Sequence, residues 1–324
     1  VSLLGHDQAI ATFMDAARGA RLHHAWLLTG PKGVGKARFA HLAARRLLAE
    51  AAGPSFDLPA LDIPATHPVT ALVAAESHPD LMVLERVIDD KSGSQVRSIT
   101  IDQVRGLQRL FATTGSYSSR RIVIIDAVDD LERGGANALL KNLEEPPADS
   151  LFLLVSHAPG RLLPTIRSRC RTLRFQPLGD DVMTQILGAE LPEAPGHEIA
   201  ALVRVGEGAP GRALAFAGLD IAGLDATIDR LIREGDPSNA ERSALSRSLG
   251  VKASQPRYEA FLERAPARMA AEARTRQGPA LERAITLWQE ARDLATSAVP
   301  LSLDAQSTAF VLAGLVAAMA PSRP

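Results

Sequence analysis

Only one cysteine, Cys170, stands among the 324 residues, so no disulfide can close within the chain and no cysteine-based zinc site can form. That usage fits a reducing compartment. Aromatic residues make up 4%, too few for the stacking platforms of single-stranded nucleic-acid binders. A charge excess is missing as well: 36 Lys and Arg against 37 Asp and Glu leave a formal net charge of −1. A free-standing DNA-binding module is usually strongly basic, so contact with DNA must come from a local basic face or a larger assembly. No apolar run is long either. The stretch from Phe310 to Ala320 falls well short of the about 20 residues a membrane-spanning helix needs and reads as a core helix. The opening "VSLLGHDQAI" has no basic start before an apolar core, unlike a secretion signal. The expectation is a cytoplasmic, soluble protein.

What is present is a hydrophobic fraction of 46% in a chain long enough for two or three domains. The first half alternates strand-like and helix-like segments. "AWLLTG" (25–30), "DLMVLE" (80–85), "RRIVIIDAVDDL" (120–131), "SLFLLVS" (150–156) and "TLRF" (172–175) read as strands or contain them. Ile122 to Ile125 form an unbroken β-branched run, which suits a strand buried on both faces of a parallel sheet. Helices are predicted over 35–52 and 100–114 and in the stretch 134–147. The first has Phe39, Leu42, Ala43 and Leu47 toward a core with Arg46 outside it; the second is capped by Thr100 or Asp102; the third is stopped by Pro146-Pro147. Strands alternating with helices predict a doubly wound α/β domain over 1–178. Strand signals then stop. A small helical domain is predicted over 179–220 and an all-α domain over 221–324. The clearest helix there spans 279–299, with Leu281, Ile285, Trp288 and Leu294 along one side. Segment 51–79, rich in Pro, Ala and His, is expected to loop out of the first domain.

Three stretches could carry chemistry. The first is Gly30-Pro31-Lys32-Gly33-Val34-Gly35-Lys36, which completes the Gly-x-x-x-x-Gly-Lys pattern of a phosphate-binding loop. Its glycines let backbone N–H groups turn toward phosphates, and the next helix offers its N-terminus to the charge. Lys36 would reach the outer phosphates. The next position normally carries a hydroxyl that binds Mg²⁺; here it is Ala37. Nucleotide binding, as ATP or ADP, stays open.

The second stretch is the end of the Ile122–Ile125 strand. Asp126 stands where an acidic residue can hold a metal's water shell, but Ala127 follows it, where such ATPases usually carry a Glu that orients the attacking water. Asp129 and Asp130 read as charges at a helix N-terminus. Two positions needed for hydrolysis therefore lack their groups, and turnover within this chain is not expected.

The third stretch is "PTIRSRCRTLRF" (164–175). Arg167, Arg169 and Arg171 alternate, so in an extended segment they share a face. They form either a solvated basic edge or an arginine presented to a phosphate outside the chain.

The stretches "RLHHAWLLTGPKGVGK" (21–36), "RRIVIIDAVDDLERGGANALLKNLEEPP" (120–147) and "SLFLLVSHAPGRLLPTIRSRCRTLRF" (150–175) together resemble the delta-prime subunits of bacterial DNA polymerase III clamp loaders, members of the AAA+ family. The Ser168-Arg169-Cys170 box is quite specific to clamp-loader subunits. The resemblance implies a P-loop AAA+ domain over 1–178, a helical lid over 179–220 and a collar domain over 221–324. It implies that Arg169 is an arginine finger for the ATP of a neighbouring subunit, that Ser156 takes the sensor-1 position and that Arg212 is the sensor-2 arginine. The nucleotide-binding set is then Gly30, Lys32, Gly33, Gly35, Lys36, Ala37, Asp126, Ser156 and Arg212, with Gly5 and His6 near the adenine pocket. The implied partners are the gamma/tau ATPase subunits, the delta subunit, the sliding clamp and primer-template DNA. Many members hold zinc with cysteines in the insertion after the first helix. Residues 51–79 contain none, so no zinc is expected and His67 and His78 read as surface-loop residues. The function read from all this is a non-hydrolysing assembly subunit that activates its neighbour; the alternative is an ATP-hydrolysing AAA+ subunit.

Overall fold

A computed structural model describes residues 3–19, 22–53, 56–88, 96, 98–112 and 118–321. The chain divides into two compact units, residues 1–190 with 206–212, and residues 191–205 with 213–324.

The first unit runs α1 (Asp7–Arg18), β1 (Ala25–Thr29), α2 (Lys36–Ala52), α3 (Pro68–Ala74), β2 (Leu81–Glu85), α4 (Ile101–Ala112), β3 (Arg121–Asp126), α5 (Arg133–Glu144), β4 (Ser150–Ser156), α6 (Pro164–Arg167), β5 (Arg171–Arg174) and α7 (Asp180–Glu190). Its five strands are all parallel, in the order β2-β3-β4-β1-β5. Side chains alternate across a strand, so each central strand feeds two cores. Trp26, Leu28, Ile122 and Ile124 point into one core, with Phe13, Phe39 and Leu47. Leu27, Val123, Ile125 and Phe152 point into the other, with Leu107 and Leu139. This explains the unbroken apolar strands: every residue of β4 is buried, and Ile122 through Ile125 are sealed from solvent. Phe13 makes edge-to-face contacts with Trp26 and Phe39, fixing α1 and α2 on one face of the sheet.

The caps follow the sequence closely. Thr100 Oγ1 accepts from the Gln103 amide at 3.3 Å, and Gln103 Oε1 accepts from the Thr100 amide at 2.9 Å. That reciprocal pair is a capping box, so Thr100 rather than Asp102 opens α4. Thr113 and Thr114, read as part of this helix, lie outside the described residues.

Two expectations about the 51–79 segment are corrected. Arg46 is not outside the core but buried. Its guanidinium donates to the carbonyls of Leu58 and Asp62 and to Glu50, and stacks over the Phe56 ring. One buried arginine thus pins the segment that was expected to loop away, and Leu61 and Val69 join the core beside it. His67 and His78 are buried rather than surface-loop residues; His67 Nδ1 accepts from the Val69 amide as the cap of α3.

Among its described residues the second unit is built of helices joined by turns, with no strand. It includes most of α8 (Gly196–Gly206), the end of α9 (Pro210–Leu214), and α10 (Ile221–Glu234), α11 (Ala240–Leu249), α12 (Gln255–Ala273), α13 (Gly278–Ala298) and α14 (Ala305–Ala317). The Glu198 carboxylate accepts from the amides of Ile221 and Ala222, closing the N-terminus of α10. A buried ion pair, Arg264 with Asp225, joins α12 to α10. The buried side of α13 is Ala284, Ala291 and Ala298, not the larger apolar residues read from the sequence; Ile285 is 39% exposed. Small alanines let α13 approach its neighbours closely, and the bulky side chains are left at its margins. The apolar run at 310–320 does form a core helix, with Leu312, Ala313 and Val316 buried in α14.

Candidate functional site

The phosphate-loop motif lies where β1 hands over to α2. Gly30 has φ of +146°, and a Cβ on it would lie 2.3 Å from the Phe175 carbonyl oxygen, so only glycine fits where this strand end meets the chain leaving β5. Gly33, at φ +80°, packs against the 209–212 turn: the Gly211 amide donates to its carbonyl at 2.8 Å, and a Cβ would meet the Arg212 nitrogen at 2.5 Å. Lys36 is the first residue of α2 and only 2% exposed. Its ammonium donates to the loop's own carbonyls, Gly30 and Pro31, at 2.6 Å each. Burial pushes the Lys36 pKa down to about 8, against the upward pull of Asp126 and Asp129. Lys32 is exposed on the loop's outer side. The backbone cradle of a phosphate loop is therefore present, with its lysine lying against the loop carbonyls. Ala37 offers no oxygen, so the residues here do not fit the magnesium ion that normally accompanies a triphosphate.

The ends of β3 and β4 carry the acidic part. Asp126 ends β3, and Ala127 beyond it is buried. Asp129 and Asp130 do stand in the first turn of a short 3-10 helix, Val128–Asp130, but Asp129 has a further partner. Its carboxylate reaches across to the end of β4, accepting from Ser156 Oγ at 2.9 Å and from the amides of His157 at 2.6 Å and Ala158 at 3.3 Å. The strand following Pro147 places those donors opposite it, a relation between segments that no local pattern encodes. Asp130 instead pairs with Arg86 at 3.0 Å. Ser156 is sealed from solvent, and its hydroxyl is spent on Asp129.

His157 was not singled out from the sequence. Its pKa is lowered by burial first and then by Lys36, with Asp126 and Asp129 opposing, and its Nδ1 is buried with no hydrogen-bond partner among the described residues. A neutral imidazole therefore sits near the loop lysine, and only its place after the strand-ending serine could have flagged it.

Arg212 makes an ion pair with Glu207 at 2.6 Å, and its backbone lies against Gly33. The structure thus brings Arg212 to the phosphate loop. His6 is buried, its Nε2 facing the Val34 carbonyl at 2.8 Å and its ring edge-on to Phe175. Burial lowers its pKa, so the neutral ring donates that bond through Nε2. Gly5 lines a hollow of about 340 Å³ with Gln8, Thr12 and Arg174.

The arginine box folds differently from the extended segment read from the sequence. Pro164–Arg167 is a turn of helix and Ser168 continues in helical conformation, so Arg167, Arg169 and Arg171 do not alternate on one face. Pro164 at the first helical position favours that turn. Ile166, buried at its centre, anchors it. Arg171 stacks over Trp26 from β5, whereas Arg169 leaves the turn sideways. Its Nη1 donates to the Thr165 carbonyl at 2.9 Å and its Nη2 stands 2.7 Å from Glu144 Oε1 in an ion pair, with the side chain 33% exposed. Cys170, the next residue, faces inward, and burial pushes its thiol up to about 12, so it is a packing residue and not a nucleophile. Glu144 was missed in the sequence. The available signal was an acidic residue in the last turn of a helix, where the dipole disfavours it unless a cation is near.

Among the described residues, no group of three His, Cys, Asp or Glu side chains is arranged to hold a metal ion, and no helix is long and apolar enough to cross a membrane.

Residues 5–179 match the family described as DNA polymerase III, delta subunit. Over 190 residues the chain is 36% identical to DNA polymerase III subunit delta' of Pseudomonas aeruginosa, covering 58% of this chain and 53% of that protein. It is 35% identical over 163 residues to the subunit delta' of Bacillus subtilis, covering 49% and 44%. The subunit tau of Bacillus subtilis is 27% identical over 192 residues, covering 58% of this chain and 31% of tau. The chain spans about half the length of the delta' relatives it matches.

Proposed function

The chain belongs to the DNA polymerase III delta subunit family, and from that premise we propose that it is a delta-prime-like clamp-loader subunit that acts on the ATP of a neighbour without hydrolysing any of its own. The observation that carries the proposal is Arg169. A turn pinned by buried Ile166 presents Arg169, whose side chain is one-third open to solvent. It can be offered to a phosphate held by another chain. There it would stabilise charge building up on the transferred phosphoryl group, an effect that contributes roughly 10³–10⁵ in rate. That corresponds to about 4–7 kcal/mol of barrier.

The chain's own loop supports the other half of the reading. Ala37 replaces the magnesium-binding hydroxyl, and Ala127 replaces the residue that orients water. In this proposal the loop residues Gly30, Lys32, Gly33, Gly35, Lys36 and Ala37, with Asp126, Ser156 and Arg212, form a retained nucleotide pocket for ATP or ADP. The partners are ATPase subunits of the gamma/tau kind, a delta subunit, the sliding clamp and primer-template DNA. Residues 1–178 act as the P-loop domain, 179–220 as the lid and 221–324 as the collar, and the working place is the cytoplasm. Tau of Bacillus subtilis, a relative by sequence, supports an assembly in which related subunits meet.

The test is reconstitution with those subunits, clamp and DNA, scoring steady-state ATP turnover. Arg169→Ala should cut the assembled rate at least a hundredfold while the isolated chain stays folded. An unchanged assembled rate would rule the role out. Retention of Lys36 favours one second reading, an ATP-hydrolysing subunit. Sustained phosphate release by the purified chain with Mg²⁺ would select that reading instead.

A further inference from the structure

We propose that Glu144 is a positioning residue for Arg169, holding the guanidinium in the direction from which it meets a neighbour's triphosphate. The inference rests on the reading of Arg169 just given. Glu144 is the last residue of α5, the end at which a helix disfavours a carboxylate. It is half exposed, so no burial requirement put it there. Its partner is Arg169, whose Nη2 forms an ion pair with its Oε1 at 2.7 Å.

Both ends of the contact are fixed from below. Leu143 is 2% exposed, and His24 Nε2 faces its carbonyl at 3.1 Å. Burial and the neighbouring His23 lower the His24 pKa, so this nitrogen carries its proton in the neutral ring and donates to the carbonyl. The chain then leaves through Pro146-Pro147, which cannot extend the helix. On the other side, the Arg169 amide donates to the Ile166 carbonyl at 3.2 Å, and Ile166 is 1% exposed.

Between these anchors the guanidinium is gripped at both Nη atoms, by Glu144 and by the Thr165 carbonyl. The Thr165 bond uses one N–H of the guanidinium, and the others would meet an incoming anion in the fork geometry that suits phosphoryl oxygens. An exposed ion pair adds little to folding stability. Its effect here is to take a long side chain out of its many rotamers before the neighbour arrives, which lowers the entropy lost in reaching the transition state.

The experiment measures kcat and KM for ATP in the reconstituted assembly, with gel filtration to establish that each variant enters it equally. Glu144→Ala should lower kcat about three- to fivefold with KM for ATP unchanged, the scale of one exposed charge contact. Glu144→Gln, which keeps an acceptor at the same reach, should recover most of that loss. In an Arg169→Ala background, Glu144→Ala should add nothing, since the two residues act as one unit. Full kcat for Glu144→Ala beside a crippled Arg169→Ala would overturn the role of Glu144 and leave Arg169 standing. An equal loss in both backgrounds, or a rise in KM without a fall in kcat, would also overturn it. No effect of Arg169→Ala would sink the parent reading, a separate and recognisable failure.

Discussion

The Asp129 carboxylate accepts a hydrogen bond from the Ser156 hydroxyl at 2.9 Å, and the same carboxylate takes the next two backbone amides at 2.6 and 3.3 Å. Three donors from the end of β4 converge on one side chain standing after β3. The contact fixes how the two strand ends lie beside the phosphate loop.

Removing this acceptor leaves a sealed hydroxyl and two amides short of partners. The sealed hydroxyl left unsatisfied costs about 1–3 kcal/mol, and the two part-buried amides add less than a fully buried group would. Asp129→Ala should therefore destabilise the chain by about 3 kcal/mol, read as a drop in the urea midpoint with unchanged slope. Asp130→Ala is the control. Its pair with Arg86 is about one-third exposed on both sides, so it should cost less than about 1 kcal/mol. Equal losses for the two variants would show that the convergence on Asp129 does not matter.

In the helical unit, the Arg264–Asp225 pair is buried and bidentate, with the Nε and Nη2 of Arg264 each donating to a different carboxylate oxygen. Taking both charges from water costs several kcal/mol, and good geometry offsets that cost only while both partners remain. Asp225→Ala alone should destabilise by about 3–5 kcal/mol, because the guanidinium is left buried and unpaired. The double change Asp225→Leu with Arg264→Met should fall within about 1 kcal/mol of the wild type or exceed it. Denaturant titration of the three proteins decides. A double variant as weak as the single one would mean that the pair stabilises beyond its volume.

The parallel sheet was legible because its signal is local: Ile122 to Ile125 and Leu151 to Val155 cannot be half-exposed strands, so both faces had to be covered. The phosphate loop was legible for the same reason, as glycine and lysine spacing over seven consecutive positions. What could not be read were the partners that long side chains reach across the fold. Arg46 has the helical spacing of a core residue and was set outside for its charge, and nothing near it says that the carbonyls of Leu58 and Asp62 will close over it. Asp129 looked like no more than a helix charge because its donors come from β4, 27 or more positions away. The arginine box failed differently. Alternation along the sequence implies a shared face only in extended chain, and Pro164 turned the segment helical. On α13 hydrophobicity pointed to Leu281, Ile285 and Trp288, but close helix packing selected the alanines.

Lys36 is nearly sealed from solvent, with burial setting its pKa at about 8 in the folded chain. The unfolded chain has the ordinary lysine value of about 10.4. Between those two values the unfolded state binds more protons than the folded one, so the free energy of unfolding rises with pH. The sign is opposite to that of a lysine gaining a salt bridge. The buried charge weighs against folding in full below about pH 8 and is relieved as pH climbs toward about 10.4. Lys36→Met removes the titration while keeping the length of the side chain. Relative to that variant, the wild type should gain stability from pH 7.5 to 10, by at most about 3 kcal/mol, measured as the difference between their urea unfolding free energies. Below pH 7.5 the difference should be flat. Curves that stay parallel up to pH 10 would mean that Lys36 titrates as a solvated lysine. The two carbonyl contacts at 2.6 Å would then not describe where its ammonium resides.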